Sequence, residues 1–393
     1  MSLPLEGIRV IDFGQVYAAP YCTLQLAYMG AEIIKIEPPV IGDVLRRPDL
    51  PGGANYSFLM LNANKKSVTL NLKHERAREI VFKLLEDADV LIENYLEGVM
   101  ESFGLSYEQL EPRFPRLIYA SGKGYGSTSR WAKLGSMDNT IQASSGFISI
   151  TGFPDRGVKT SATFIDMGTG SHLTSGILAA LIHRGKTGRG QKVEVAMLEV
   201  AVPALTSALA PALQGMKFKR LGNRHWGACP TNIYPAQDGE ILIFCLTEAH
   251  WRTIAKMIGR EDFIADPRCA NHGTRLRIAD ELDEAVSIWT SQHRRDDMIA
   301  MLIEAGVPCA PVRQLEEVAA DPELLERRTL VESEYPTRGA IKVAGTPIKL
   351  SEASDESKPA LRPPVLGEHT AEVLASIGID AAELEHLRDD GVI

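Results

Sequence analysis

The residue whose surroundings most suggest chemistry is a single carboxylate, Asp166, in the segment SATFIDMGTGSH at 161–172. It has no Lys or Arg within six residues on either side, and Gly168 and Gly170 follow it closely. An acid in this position can cap a helix by accepting the N–H of Gly168 or Thr169, or it can attack a substrate as a nucleophile. The two roles are compatible, because a helix N-terminus favours the ionised carboxylate that a nucleophile requires.

A helix that begins at Asp166 would place this carboxylate on an apolar face. Residues 166, 170, 173 and 177 share that face at helical spacing. The carboxylate would then point inward, where Gly168 and Gly170 leave room for a ligand.

A second group of candidate residues is basic and lies near the first predicted strands. Cations at the strand ends of a parallel sheet can receive phosphate groups, although an ordinary solvated surface explains them equally well. The residues are Lys35, Arg46, Lys65, Lys66 and Lys73.

Several familiar motifs are absent from the sequence. The first strand–helix turn, DFGQVYAAP, has one glycine where a GxGxxG dinucleotide motif has three. The GKT at 185–187 follows a predicted helix, and Ala180 stands where a P-loop needs its first glycine. There is no GxSxG elbow, no HExxH and no metal-spaced histidine pair. None of these motifs therefore accounts for the activity of the chain.

The composition is that of an ordinary soluble globular protein. The chain has 393 residues, of which 45% are hydrophobic and 24% charged, and its formal net charge is -9. This charge disfavours nucleic acid or an anionic membrane as the main partner. Five cysteines without a CxxC indicate neither a disulfide framework nor a zinc knuckle, and no apolar run approaches the ~18 residues of a membrane span. We therefore predict a soluble, cytoplasmic protein.

The first half of the chain alternates strand-like and helix-like segments, which predicts a parallel sheet covered by helices. Strands are predicted at 8–13, 31–37, 67–72, 89–94, 116–122 and 192–198, and helices at 20–30, within 73–89 and at 170–184. From about 226 the pattern changes to a hairpin followed by several helices. The predicted domains are a large domain at 1–225 with a linker from about 200, a smaller α+β domain at 226–325, and a return to the large domain with C-terminal helices at 326–393.

Several sequence motifs, which follow one another along nearly the whole chain, resemble those of a known family. The motifs are LEGIRVIDFGQVYAAP, GAEIIKIEPPVIGD, NANKKSVTLNLK, ADVLIENY, QASSGFISITG, IDMGTGSHLTSGILAALIHRGKTGRGQKVEVAML, AGVPCAPV and LGEHTAEVL. Together they resemble the class III CoA-transferases of the CaiB/BaiF family. The resemblance implies an α/β fold with a Rossmann-like large domain built from both chain ends and a smaller inserted α+β domain. It also implies a homodimer whose two chains interlock.

The resemblance implies that Asp166 is the nucleophile of a CoA-transferase. Its carboxylate would attack the thioester of an acyl-CoA donor to give a mixed anhydride, and the free thiolate would return to form an aspartyl-CoA thioester. A carboxylic acid acceptor would then take over the CoA through a second anhydride. Coenzyme A thioesters would be substrates, and this exchange needs no metal, redox group or other tightly bound cofactor.

The resemblance also implies which residues surround the substrates. Asp138 matches an acid near the reacting acyl group, and Tyr17, Gly168 and Gly170 belong to the same environment. The residues matched to CoA contacts are Val16, Tyr17, Ala18, Leu70, Asn71, Leu72, Lys73, Asn94, Tyr95 and Leu96.

Three departures from the family pattern affect these expectations. Tyr17 replaces a glutamine of the oxalate-using transferases, which changes how an acyl anhydride would be held. Pro38 and Ser102 replace basic residues that often contact the CoA nucleotide. The glycine-rich loop of formyl-CoA transferases has no counterpart in the segment NRHWGACPTNIYPAQDG, which disfavours formyl-CoA:oxalate transfer. The cations left as candidates for the CoA phosphates are Lys73, Lys65 and Arg46.

Two other functions stay open. An α-methylacyl-CoA racemase on the same scaffold needs an acid–base pair, but Met137 stands where racemases have His, and a thioether takes no proton at neutral pH. A non-catalytic CoA-binding paralogue is the other alternative, although the chain keeps Asp166 and its glycines. The acids that exchange CoA are not determined, with a small dicarboxylate as the default acceptor. Side chains of the smaller domain that could line their pocket are Trp226, Thr231 and Tyr234.

Overall fold

The computed structural model describes residues 3–47, 54–352 and 362–393. These residues form two compact units. The first unit combines segments within 1–147, 160–207 and 322–393, and the second combines 148–159 with 208–321. The first unit therefore takes chain from both ends of the sequence.

The strands form one large parallel sheet and three small antiparallel sheets. In chain order the strands are β1 (Arg9–Asp12), β2 (Glu32–Glu37), β3 (Lys65–Thr69), β4 (Val90–Glu93), β5 (Ile118–Lys123), β6 (Gly152–Phe153), β7 (Arg156–Gly157), β8 (Lys192–Ala196), β9 (Thr231–Ala236), β10 (Gly239–Phe244), β11 (Cys309–Pro311), β12 (Leu330–Tyr335) and β13 (Gly339–Ala344). The parallel sheet has the order β3-β2-β1-β4-β5-β8, and the antiparallel ones are β11-β10-β9, β12-β13 and β6-β7.

Helices connect the strands of the parallel sheet, and others lie between and after the antiparallel strands. They are α1 (Ala18–Tyr28), α2 (Ala54–Leu61), α3 (Glu75–Glu86), α4 (Val99–Ser102), α5 (Tyr107–Leu110), α6 (Asp138–Ser145), α7 (Phe147–Ile150), α8 (Phe164–Thr187), α9 (Met197–Ala204), α10 (Thr206–Ala212), α11 (Glu248–Met257), α12 (Asp262–Ala265), α13 (His272–Arg275), α14 (Ala279–Thr290), α15 (Arg295–Glu304), α16 (Leu315–Ala319), α17 (Pro322–Glu326), α18 (Thr370–Ser376) and α19 (Ala381–Asp389). Short 3₁₀ turns lie at Val44–Arg46, Pro267–Cys269 and Leu276–Ile278.

The inner strands of the large sheet are buried on both faces, as expected for parallel strands joined by helical crossovers. Alternate residues of β1 face opposite cores: Val10 packs in one cluster with side chains of α1 and α8, and Ile11 in another with side chains of α3, α18 and α19. The predicted parallel sheet covered by helices is confirmed. The inner strands β1, β2 and β4 are mostly apolar because both of their faces are covered, whereas the edge strand β8 alternates Lys192 and Glu194 with valines and leaves Glu194 exposed.

Helix α8 begins earlier than the sequence pattern indicates. The prediction placed its start at 170 or at Asp166, whereas the helix starts at Phe164 with Thr163 at the N-cap position, and the Thr163 side chain makes no capping bond. Asp166 is therefore the third residue of the helix and not its N-cap. The orphan N–H groups of this first turn are instead satisfied by a side chain from elsewhere in the sequence, described below.

Gly170 allows α8 to pack closely against α1. A Cβ at this position would stand 2.5 Å from the carbonyl oxygen of Ala18 and 3.1 Å from the backbone nitrogen of Cys22. Both atoms belong to the backbone of α1, so neither can rotate away. The expected room for a ligand at Gly170 is therefore occupied by a neighbouring helix.

We expect the substitution Gly170→Ala to lower the free energy of unfolding by about 2 kcal/mol, because the added methyl group must push two buried helices apart. Gly185→Ala is the matched control on the same helix, where a Cβ would meet nothing within 4 Å. That change should raise the free energy of unfolding by about 0.5–1 kcal/mol, since alanine favours the helix over glycine. Urea titrations of both variants measure the two effects, and equal stabilities would contradict the packing argument.

Candidate active site

The candidate site lies at the carboxyl edge of the parallel sheet, where the strand order reverses. From β1 the chain continues to β2 on one side, while β4 pairs with β1 on the other. The loops that leave β1 and β4 therefore diverge and open a crevice, which is the usual ligand position in an open α/β sheet.

A cavity of about 280 Å³ occupies this crevice within the first unit. Its walls come from the loop after β1, the segment after β4, the end of β5 with the loop that follows, and the first turn of α8. The lining residues are Gln15, Val16, Tyr17, Ala18, Asn94, Tyr95, Leu96, Glu97, Gly122, Lys123, Gly124, Ala132, Leu134, Gly135, Ser136, Met137, Asp166, Thr169 and Met197.

Asp166 reaches this cavity from the N-terminal turn of α8. The backbone N–H groups of Ile165 and Asp166 donate to Oδ2 of Asp138, at 2.8 and 3.1 Å. Asp138 is buried and lies at the start of α6. Its other oxygen accepts a 2.6 Å bond from Nε2 of Gln142. Asp138 thus caps α8 across 28 residues of sequence and fixes the backbone from which the Asp166 carboxylate projects.

The environment of Asp166 raises its pKa to about 7. The main cause is burial, which penalises the charged form, and the second is repulsion from the nearby Asp138 carboxylate. The position near a helix N-terminus, which favours the ionised carboxylate, therefore does not keep the pKa of Asp166 in the usual aspartate range. Desolvation and a like charge outweigh the helix dipole, whose effect is worth only about 0.3–1 kcal/mol at exposed sites.

Asp138 does not line the cavity, although the family resemblance places it near the reacting acyl group. Both of its oxygens are engaged, one by the start of α8 and one by Gln142. Its chemical influence on the site therefore acts through the position and the pKa of Asp166.

The loop between β1 and α1 forms one wall of the cavity and is held by side chains on several sides. The Asn94 amide accepts from the Gln15 N–H at 2.8 Å and donates to the Gln15 carbonyl at 2.9 Å. Asp12 accepts from the Gly14 N–H at 2.7 Å. The Asn94 amide thus fixes this loop with one N–H and one lone pair, and its second N–H and second lone pair stay available for another contact.

Of the residues matched to CoA contacts, two groups meet at the cavity and one does not. Val16 to Ala18 and Asn94 to Leu96 line it together with Asp166. The segment from Leu70 to Lys73 contributes no lining residue; Leu70 is buried in the sheet core, while Lys73 is exposed. The Asn71 amide donates to the Gly391 carbonyl near the C-terminus at 3.2 Å.

The two glycines after Asp166 do not share its cavity. Gly168 lines a separate cavity between α8 and α9, together with Phe164 and His172. Gly170 packs against α1, as described above. The small residues after Asp166 therefore serve helix packing and a second surface, and Thr169 is the neighbour that shares the cavity.

The cations proposed for phosphate binding are mostly paired with carboxylates. Lys35 lies 3.0 Å from Asp43 and Lys65 lies 3.4 Å from Asp12, with all four side chains fully buried. Arg46 binds Glu37 at 2.6 Å. Lys66 is shared between Glu32 and Glu372. Lys73 is the exposed member of the set, and we keep it as the candidate for CoA phosphates.

Two residues that were not among the predicted site residues, Lys123 and Gln15, also line the cavity. Lys123 contacts Glu93 at 2.9 Å and Glu97 at 3.6 Å, and donates to the Tyr95 carbonyl at 2.9 Å. A signal was present, because Lys123 directly follows the strand predicted at 116–122, and the carboxyl ends of parallel strands meet at the ligand edge of a sheet.

In the second unit, Thr231 and Tyr234 are core residues. Tyr234 is buried and donates a 2.7 Å hydrogen bond to Asp283, and Thr231 accepts from the Cys245 N–H at 3.1 Å. Trp226 is 44% exposed and stacks on His225. Of the three residues suggested for an acyl pocket, Trp226 alone presents a large free surface.

Within 3–47, 54–352 and 362–393, no group of three or more His, Cys, Asp or Glu side chains is arranged to hold a metal ion. In the same part of the chain, no helix combines the length and the apolar character needed to cross a membrane.

Comparison with known proteins identifies the family. A family model described as CoA-transferase family III matches residues 5–370. Formyl-CoA:oxalate CoA-transferases of Escherichia coli O157:H7 and Shigella dysenteriae serotype 1 are 35% identical to the chain over 420 residues, and the matches cover 100% of this chain and of each relative.

Solved structures agree with this assignment. A CaiB/BaiF family protein from Brucella suis superposes with a TM-score of 0.85 at 32% identity, covering 96% of this chain and 100% of that one. A hypothetical protein from Mycobacterium tuberculosis gives a TM-score of 0.81 at 28% identity, covering 94% and 99%. The resemblance found in the sequence is confirmed. The chain belongs to CoA-transferase family III and is an acyl-CoA:carboxylate CoA-transferase.

Proposed function

We propose that the enzyme transfers CoA through covalent intermediates on Asp166. The observation that carries this proposal is the position of Asp166, whose half-buried carboxylate lines the crevice at the strand-order reversal and has a pKa raised to about 7. A carboxylate with little hydration attacks an acyl carbon more readily than one held in a salt bridge. Burial and the Asp138 carboxylate, and no basic side chain of the described residues, set the pKa of Asp166.

The first half-reaction charges the enzyme with CoA. One oxygen of Asp166 attacks the thioester carbon of the donor, the carbon–sulfur bond breaks, and a mixed anhydride and the CoA thiolate result. The thiolate then attacks Cγ of Asp166 and releases the donor acid, which carries one oxygen from the enzyme. An aspartyl-CoA thioester remains.

The second half-reaction reverses these steps with the acceptor. Its carboxylate attacks Cγ of the thioester, the thiolate leaves, and a second mixed anhydride forms. The thiolate then attacks the carbonyl carbon of the acceptor, which gives the new acyl-CoA and restores Asp166. One acceptor oxygen stays in the Asp166 carboxylate, so every atom is accounted for.

Backbone N–H groups at the start of α1 could stabilise the oxyanions that form in these steps. Helix α1 starts at Ala18, its N-cap residue Tyr17 makes no side-chain cap, and both residues line the cavity. The first turn of a helix leaves N–H groups without intrahelical acceptors, and such groups stabilise negative charge. We propose that these N–H groups receive the developing oxyanions.

The cavity suits the reacting end of the substrate. A volume of about 280 Å³ admits a short acyl group and the thioester, and the nucleotide would extend outside. We propose that Val16 to Ala18 and Asn94 to Leu96 contact the pantetheine arm, with Lys73 as the candidate for a phosphate. Met137 also lines the cavity, and its thioether offers no proton transfer, which disfavours a racemase.

The donor and acceptor acids are a separate question. The named relatives use formyl-CoA and oxalate, so this pair is the first to test. The lack of a glycine-rich loop counterpart in the sequence argues against formyl-CoA as the donor. We therefore propose a small dicarboxylate as the acceptor, with succinyl-CoA or acetyl-CoA as the donor.

The decisive experiment combines a substrate screen with isotope labelling. The enzyme would be incubated with formyl-, acetyl- or succinyl-CoA and with oxalate or other carboxylic acids labelled with ¹⁸O in the carboxylate. Mass spectrometry of new thioesters identifies the substrates, and digestion locates any label in the protein. We expect ¹⁸O in the peptide that contains Asp166 after turnover. Transfer of CoA without label in that peptide would contradict the covalent mechanism.

We further propose that the chain works in the cytoplasm as an interlocked homodimer, with a smaller domain over 226–325 inserted in the large one. Five free thiols are compatible with a reducing compartment. Large apolar side chains are exposed on the first unit, including Ile182 at 64% and Val202 at 37%, and a partner chain would cover such surface. Light scattering that returns the mass of one chain would contradict the dimer.

A further inference from the structure

The loop between β1 and α1 contains a strained residue. Val16 has a φ of +66°, in the left-handed region that β-branched residues rarely adopt. Its Cβ crowds the backbone there, and such a conformation persists only where the surroundings enforce it. Val16 lines the active-site cavity and directly precedes Tyr17 and Ala18 at the start of α1.

The Asp43 carboxylate contacts the backbone of this strained residue. Both of its oxygens lie 3.3 Å from the backbone nitrogen of Val16, which donates to them. Asp43 is itself held by the Leu45 N–H at 2.9 Å, and its own N–H donates to Glu37 at 2.9 Å.

Lys35 connects Asp43 to the same loop. Its ammonium group lies 3.0 Å from Oδ2 of Asp43, and both side chains are fully buried. The same ammonium group donates a short hydrogen bond to the Gly14 carbonyl. The ion pair therefore binds the loop at two points, the carbonyl of Gly14 and the N–H of Val16.

Stability alone does not explain a buried ion pair at this place. Removing two charges from water is costly, and well-packed apolar side chains are often equally stable in such positions. What apolar side chains could not supply is a pair of hydrogen bonds to the loop backbone. The contacts of Lys35 and Asp43 are directed at that backbone, which points to a positioning role.

We propose that the buried Lys35–Asp43 pair is a positioning element of the active site. It holds Val16 in the left-handed conformation and thereby keeps the uncapped start of α1 at the cavity edge beside Asp166. The proposal rests on the proposed function, because positioning matters only if the chemistry occurs at Asp166.

The test is a double-mutant cycle between Asp43 and Val16. Asp43→Asn replaces one acceptor oxygen with an amide and removes the charge opposite Lys35, so the strained loop can relax. In the native Val16 background we expect kcat/KM to fall about tenfold or more, which corresponds to about 1.4 kcal/mol or more. In a Val16→Gly background the left-handed conformation has no steric penalty, so the same substitution should lower kcat/KM by no more than about twofold.

Two further variants separate positioning from a general loss of stability. Asp89→Asn is the matched control, because it also removes a carboxylate that is paired with a basic side chain, here Arg184 at 2.7 Å. Asp89 directly precedes β4, so it lies at the amino edge of the sheet, opposite the active-site edge. This substitution should leave kcat/KM per folded enzyme unchanged in either background. Lys35→Met removes the other half of the pair and should show the same dependence on Val16→Gly, which keeps the test available if Asp43→Asn does not fold.

Equal losses from Asp43→Asn in both backgrounds would overturn the positioning role. That outcome is distinguishable from a failure of the proposed function, which would appear separately as transfer activity retained in Asp166→Ala.

Discussion

Replacing Asp166 with alanine is expected to lower kcat for CoA transfer by about 10³-fold or more, because both half-reactions form their covalent bonds at its carboxyl group. Asp166→Asn should lose a comparable factor, since an amide of the same shape lacks the nucleophilic oxygen pair. Single-turnover assays with mass-spectrometric detection measure the loss. Both variants should still bind acyl-CoA, because the loops after β1 and β4 that line the cavity are untouched.

The binding measurement makes this result interpretable. Calorimetry should give similar dissociation constants for two complexes. The Kd of Asp166→Asn for acyl-CoA should lie within a few fold of the Kd of the wild-type enzyme for free CoA. A variant that neither binds acyl-CoA nor transfers CoA would indicate that the substitution has disturbed the cavity. In that case Asp166→Glu, which keeps a carboxylate, would be measured in its place. Transfer retained at more than a tenth of the wild-type rate in Asp166→Ala would exclude this residue as the nucleophile.

The pH dependence of kcat/KM is the second large effect expected. The nucleophile is the ionised form of Asp166, and the pKa of this group in the free enzyme is raised to about 7. We therefore expect kcat/KM to be constant above pH ~8 and to fall about tenfold for each pH unit well below 7. Initial rates between pH 5 and 9, at substrate concentrations well below KM, measure this profile.

Asp138→Asn should move the same profile to lower pH. The substitution removes the negative charge that raises the pKa of Asp166, while the remaining amide oxygen can still accept the N–H groups that start α8. Burial continues to hold the pKa above the usual aspartate range, so the shift is partial. The control is Asp87→Asn, which removes a carboxylate whose side chain is 75% exposed on the same unit. It should leave the pH profile of kcat/KM unchanged. A profile of Asp138→Asn that matches wild type would refute the electrostatic role of Asp138.

The same raised pKa has a consequence for stability. In the unfolded chain Asp166 titrates near pH 4, so between about pH 4 and 7 the folded state holds a proton that the unfolded state has lost. This group therefore stabilises the fold at low pH, and its contribution is lost as the pH rises through about 7. Asp166→Asn removes that dependence, so the gain in Tm of this variant over wild type should be larger at pH 8 than at pH 5.

The buried cations illustrate what a closer sequence argument could have found. Lys35 sits within AEIIKIE, a nearly continuous apolar run, and such runs belong to strands covered on both faces. A lysine in that run is expected to be buried, and a buried ammonium group needs a carboxylate of the protein beside it, which leaves it out of reach of a phosphate in solvent. The carboxylate that pairs with Lys35 belongs to Asp43, which lies after β2. Whether Asp43 reaches Lys35 depends on the path of the chain after that strand.

The sequence by itself determined the family, the alternation that builds the parallel sheet, and the unusual position of Asp166 without nearby cations. These are local properties or ordered motifs, so they can be read from residue types and spacing. The cap that Asp138 places on α8, the ionic support of the strained Val16, and the packing of Gly170 on α1 were decided by the tertiary structure alone. Each joins residues distant in the sequence, and hydrogen bonds and steric contacts act over a few ångströms of space regardless of that separation.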